Sequence, residues 1–115
     1  MKKPKIFIAC DTSSLTKVKK IIKQSQTNKI KIGYKFGLEF MNSKHGRQFI
    51  SKLKNKIIFV DLKLNDTVNT MLSAVKALGD LKINYLTVHI SSGLAALKAV
   101  KKVSKSTKII GVTTL

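Results

Sequence analysis

The run Phe59-Val60-Asp61-Leu62-Lys63-Leu64-Asn65-Asp66-Thr67-Val68-Asn69-Thr70 places a lysine between two carboxylates. On an extended strand residues i and i+2 point the same way, so Asp61 and Lys63 project together, and Asp66 follows within one short loop. A lysine held between carboxylates stays charged and fixed. That suits it to stabilise developing negative charge and to deliver a proton. The plain alternative is a strand-end salt bridge, with Asp66 capping the next helix. Scarcity weighs against it, because the chain has only 5 Asp+Glu against 23 Lys+Arg.

Something must carry these groups to one place. Apolar runs rich in Ile, Val and Phe recur at Lys5–Cys10, Ile30–Phe36, Ile57–Val60, Tyr85–Ile90 and Ile109–Val112, and these read as strands. Helical faces lie between them: Leu15, Val18, Ile21 and Ile22; then Phe49, Ile50 and Leu53; then Val68, Met71, Leu72, Val75 and Leu78, stopped at Gly79. In the last interval Ser92 is the expected N-cap of a helix carrying Leu94, Leu97 and Val100. Strand starts repeat every ~24 to 28 residues with one helix in each interval, a β/α alternation that implies a parallel sheet with right-handed crossovers. The strands end at Asp11, Lys35, Asp61-Leu62-Lys63, His89 and Thr113-Thr114. Such polar ends converge on the active rim of a (β/α)8 barrel, or on the switch-point crevice of an open sheet. No Gly-x-Gly-x-x-Gly follows the first strand, which argues against the dinucleotide-binding open sheet.

Composition narrows the partners. With 115 residues, 43% of them hydrophobic, residues 1–115 are expected to form one domain rather than a disordered basic tail. The net charge of +18 comes almost wholly from Lys, since Arg47 is the only Arg, and the lysines are spread along the chain. Phosphate-gripping surfaces favour Arg, and single-strand binders interleave aromatic rings with basic residues, so no nucleic-acid partner is expected. No apolar run approaches the ~18 to 20 residues of a membrane span. The start, Met1-Lys2-Lys3-Pro4-Lys5, leads into an apolar stretch too short for a secretion signal and ended by Asp11. Cys10 is the only cysteine, so neither an intrachain disulfide nor a Cys/His zinc site is expected, and the cytoplasm is the expected compartment.

The whole chain, in order, resembles the orotidine 5′-phosphate decarboxylase family. The likeness runs through Ala9-Cys10-Asp11, Lys35-Phe36-Gly37-Leu38-Glu39-Phe40, Gly46-Arg47-Gln48-Phe49, Asp61–Thr70, Val88-His89-Ile90-Ser91-Ser92-Gly93 and Gly111-Val112-Thr113-Thr114-Leu115. Asp-x-Lys-x-x-Asp alone marks a wider superfamily, which includes ketogulonate-phosphate decarboxylases and hexulose-phosphate synthases. Asn69-Thr70 and the Lys-x-Gly-x-Glu strand favour the orotidylate branch. The resemblance implies a (β/α)8 TIM barrel, cut here to about its first four and a half β/α units. It implies decarboxylation of orotidine 5′-phosphate to UMP with neither metal nor organic cofactor. Lys63 would protonate C6, Asp61 would face the substrate carboxylate, and Lys35 and Asp66 would complete a Lys-Asp-Lys-Asp array. Asp11 would hold a ribose hydroxyl. Asp66 and Thr70 would reach into a neighbouring subunit's site, making a homodimer with shared active sites.

Both Lys31-Ile32-Gly33 and Lys35-Phe36-Gly37 fit Lys-x-Gly. Lys35 is chosen because it lies nearer the strand's carboxyl end and only it continues to Gly37 and Glu39. His89 reads equally as a wall residue or a substrate contact. His45 reads as a solvated turn residue, Cys10 as a small buried apolar one, and Glu39 as a cap of the second helical region. Thr67-Val68 stand where the family has Ile-Pro, at modest cost in local order, and Ser91-Ser92 replace a Ser-Gly-type turn. A full barrel takes ~250 residues. The expectation is therefore an incomplete sequence, the N-terminal half of a decarboxylase that is inactive alone for want of the later phosphate-gripping loops. Two rivals are a sugar-phosphate enzyme of the superfamily and a basic nucleic-acid-binding module.

Overall fold

The computed structural model describes residues 3–4 and 6–115. Lys5, the expected start of the first strand, and the opening Met1-Lys2 lie outside the described residues. Strand and helix alternate as β1 (Ile6–Ala9), α1 (Leu15–Gln24), β2 (Ile32–Gly37), α2 (Leu38–Met41), α3 (Gly46–Lys52), β3 (Ile57–Leu64), α4 (Val68–Ala77), β4 (Tyr85–His89), α5 (Leu94–Val103) and β5 (Lys108–Val112). The strands follow one another in the sheet in sequence order, β1-β2-β3-β4-β5. This is the β/α order expected of a barrel's first four and a half units. Two compact units divide the chain, Met1–Phe59 and Val60–Leu115.

In the first unit β1 and β2 pair in parallel, with Ile6 opposite Ile32 and Ala9 opposite Lys35. Both strands are short, and their Ile, Phe and Tyr side chains suit a pleated sheet. Ser14 caps α1, its hydroxyl accepting from the Lys17 N–H, and Val18 is the residue that helix buries fully. The extra helix α2 was not foreseen. Its Phe40 is buried and stacks between Phe36, at 5.1 Å, and Phe49, at 6.0 Å between ring centres. Gly46 opens α3 so close to α2 that a Cβ there would collide with the Phe40 carbonyl. The second strand starts two residues later than expected, so Ile30 is exposed and Lys31 precedes β2.

In the second unit β4 and β5 pair in parallel, from Tyr85 opposite Lys108 to His89 opposite Val112. Helix α4 buries Met71 and Val75, ends with Leu78 as its C-cap, and gives way to Gly79 as expected. Val68, placed on the same face in sequence, is exposed at its first turn. The expected N-cap Ser92 is corrected. Ser92 lies in a 3₁₀ turn with its hydroxyl donating to the His89 carbonyl, and Gly93, at φ 98°, is the N-cap of α5. Only glycine adopts that backbone conformation without strain. The buried line of α5 is accordingly Ala96 and Val100, while Leu94 is exposed.

Candidate active site

The third strand does not stop at Val60 but continues to Leu64, so Asp61 and Lys63 both belong to β3. The Lys63 Nζ lies 3.0 Å from Asp61 Oδ2. Asp61 is only 8% exposed. A carboxylate so buried needs partners for both oxygens. The second partner is Thr87 on β4, whose hydroxyl donates to Asp61 Oδ1 at 2.7 Å. The same Thr87 oxygen accepts the backbone N–H of Lys63 at 2.9 Å. Lys63 has φ 49°, in the left-handed region. For a residue with a Cβ that conformation costs about 1–2 kcal/mol, and such strain clusters at functional sites. An ammonium carries three protons, so one bond to Asp61 does not exhaust it. The arrangement can therefore hold a positive charge against a reacting atom and give it a proton.

Sequence reasoning did not single out Thr87. The available signal was a hydroxyl inside the apolar strand Tyr85-Leu86-Thr87-Val88, since a buried polar group in such a run must find a partner.

Asp66 and Thr70 are not brought to that pair. Asp66 sits in the turn before α4, its Oδ1 accepting the Thr67 N–H at 2.7 Å. The cap of α4 is Thr67 rather than Asp66, the Thr67 hydroxyl taking the Thr70 N–H at 3.4 Å and donating to Thr70 Oγ1 at 3.1 Å. Both Asp66 and Thr70 are exposed. Asn65 reaches Ser91 Oγ at 3.4 Å, tying the end of β3 to the turn after β4.

In the first unit Asp11 follows the end of β1 by two residues, and Lys35 lies near the carboxyl end of the neighbouring parallel strand β2. Lys35 is half-buried opposite Ala9, and its carbonyl accepts the Cys10 N–H at 2.8 Å. Lys31 is exposed before the strand begins. Cys10 is fully buried, and that burial, with the charge of Asp11 second, pushes its thiol up to about 11. His89 ends β4 half-buried, whereas His45 is exposed beside Gly46. Glu39 lies in the first turn of α2, whose N-cap is Gly37. Among the described residues no three of His, Cys, Asp and Glu gather where they could hold a metal ion. No helix of the described residues is long and apolar enough to cross a membrane.

Comparison with known proteins places the chain. The family model described as orotidine 5′-phosphate decarboxylase / HUMPS family matches residues 4–115. The orotidine 5′-phosphate decarboxylase of Malacoplasma penetrans is 36% identical over 121 residues, covering 100% of this chain and 51% of the relative. That of Sphingopyxis alaskensis is 45% identical over 86 residues, covering 72% of this chain and 38% of the relative. Among solved structures, the orotidine 5′-phosphate decarboxylase of Lactobacillus acidophilus superposes with a TM-score of 0.85 at 30% identity, covering 99% of this chain and 54% of the other. The orotidine 5′-monophosphate decarboxylase of Methanocaldococcus jannaschii, complexed with the inhibitor BMP, gives 0.82 at 27% identity, with 97% and 53% covered. The chain thus spans about half the length of the curated relatives it matches.

Proposed function

The chain belongs to the orotidine 5′-phosphate decarboxylase / HUMPS family, and we propose that it forms the N-terminal part of a decarboxylase converting orotidine 5′-phosphate to UMP. The observation that carries this reading is the buried Asp61 held to Lys63 at 3.0 Å. In the reaction the bond from C6 to the substrate carboxylate breaks, carbon dioxide leaves, and the electron pair stays on C6. The Lys63 Nζ gives its proton to C6 and is reprotonated from solvent. Asp61 orients the ammonium, and its negative charge faces the departing carboxylate. In such a setting fixed charges stabilise the developing carbanion without reorganising at the moment of reaction.

Lys35 supplies the second ammonium of the array and Asp11 binds a ribose hydroxyl, a reading supported by their places at adjoining strand ends. Asp66 and Thr70 serve the neighbouring subunit of a homodimer, consistent with their exposure at the start of α4. The array works without a metal or organic cofactor, in the cytoplasm. The remainder of the full-length protein supplies the phosphate-gripping loops, so residues 1–115 alone are inactive. Turnover of orotidine 5′-phosphate by the full-length protein in D2O tests the reading. It predicts UMP carrying deuterium at C6 and release of carbon dioxide. Absence of UMP, with turnover of a hexulose phosphate instead, would assign the protein to the sugar-phosphate branch.

A further inference from the structure

We infer that Thr87 is the positioning residue of the Asp61–Lys63 pair, its one hydroxyl fixing the carboxylate and the lysine backbone together. This rests on the proposed role of that pair. A threonine hydroxyl has one proton to give and lone pairs to receive. Here the proton goes to Asp61 Oδ1 at 2.7 Å, and a lone pair takes the Lys63 N–H at 2.9 Å. The other carboxylate oxygen holds the Lys63 Nζ at 3.0 Å. The three groups close a ring in which each orients the next. Thr87 is itself 4% exposed and Asp61 8%, so water does not readily replace the hydroxyl.

The backbone makes the point independently. Lys63 is held at φ 49°, a conformation its Cβ disfavours. Relaxation of φ at that residue toward the extended region would carry its side chain out of the position it holds here. The hydrogen bond from its N–H to Thr87 opposes that relaxation, so one residue on β4 sets both the direction of the ammonium and the place of its counter-charge.

The test compares Thr87→Val and Thr87→Ser in the full-length protein. Valine keeps the shape and removes the hydroxyl, whereas serine keeps the hydroxyl. Misplacing a reacting group by about 1 Å costs roughly 100-fold in rate. Thr87→Val is expected to lower kcat by about 10- to 100-fold with KM changed less than threefold. The Lys63 amide should also lose its protection from hydrogen exchange. Thr87→Ser is expected to restore both kcat and protection. If valine prevents folding, Thr87→Cys, a near-isostere with a weak donor, takes its place in the comparison. Equal kcat in the hydroxyl-free and hydroxyl-bearing variants would overturn the inference, as would loss of protection without loss of kcat. A wild-type enzyme unaffected by Lys63→Ala would instead overturn the underlying reading, so the two failures are distinguishable.

Discussion

At the scale of single residues, the site was legible where chemistry and periodicity coincide. Asp61 and Lys63 stood out because an extended strand would send them the same way; the structure has them 3.0 Å apart, with Lys63 itself in the left-handed region. Thr87 was hidden because its partners come from a different strand, and pairing across strands is not written in local spacing. Asp66 was given a capping alternative, and the structure assigns the cap to Thr67, one residue on. Cys10 permits a prediction of its own. Burial holds its thiol protonated to about pH 11, against an ordinary value of 9.0. The folded state therefore keeps a proton that the unfolded chain releases, and stability falls as pH rises between those values. Below about pH 9 this contribution is fully present. Urea midpoints measured from pH 8 to 11 should fall more steeply in the wild type than in Cys10→Ala. Parallel slopes would contradict the assignment.

Elements show where local rules suffice and where packing overrides them. The order of the strands and of every helix but α2 was readable, because β-branched runs and helical apolar faces differ in period. Boundaries shifted where the backbone had to turn. Gly93 takes φ 98° and caps the helix after β4, one residue beyond the serine that looked like its cap. Helix α2 is only four residues long, too short to leave a periodic signal, and it is held by Phe40 against Phe36 and Phe49. Its neighbour Gly46 is buried against the Phe40 carbonyl. Gly46→Ala is therefore expected to destabilise the protein by about 1–3 kcal/mol, as overpacking does. A thermal midpoint equal to wild type would refute the close approach. Thr67→Ala removes the cap of α4 and should cost about 0.5–2 kcal/mol, with Thr67→Ser retaining most of it. Chemical denaturation of the three proteins reads the difference.

For the whole molecule, the charge of +18 is mostly background lysine, and the scarce acids carry the information. Two of the five, Asp11 and Asp66, follow closely on a strand, and Asp61 lies in the carboxyl-terminal half of β3. The proposed sharing of sites between subunits has a quantitative consequence. Lys63→Ala and Asp66→Asn disable different subunits' contributions to one site, so randomly exchanged mixtures of the two inactive dimers should regain about one quarter of wild-type activity. No regain would mean each subunit completes its own site. The measurement that bears most directly on the proposed chemistry is the rate of UMP formation from orotidine 5′-phosphate by full-length wild type and Lys63→Ala. Loss of the proton donor and its charge predicts a fall of at least about 1,000-fold. A Lys63→Ala enzyme within tenfold of the wild type would contradict the account.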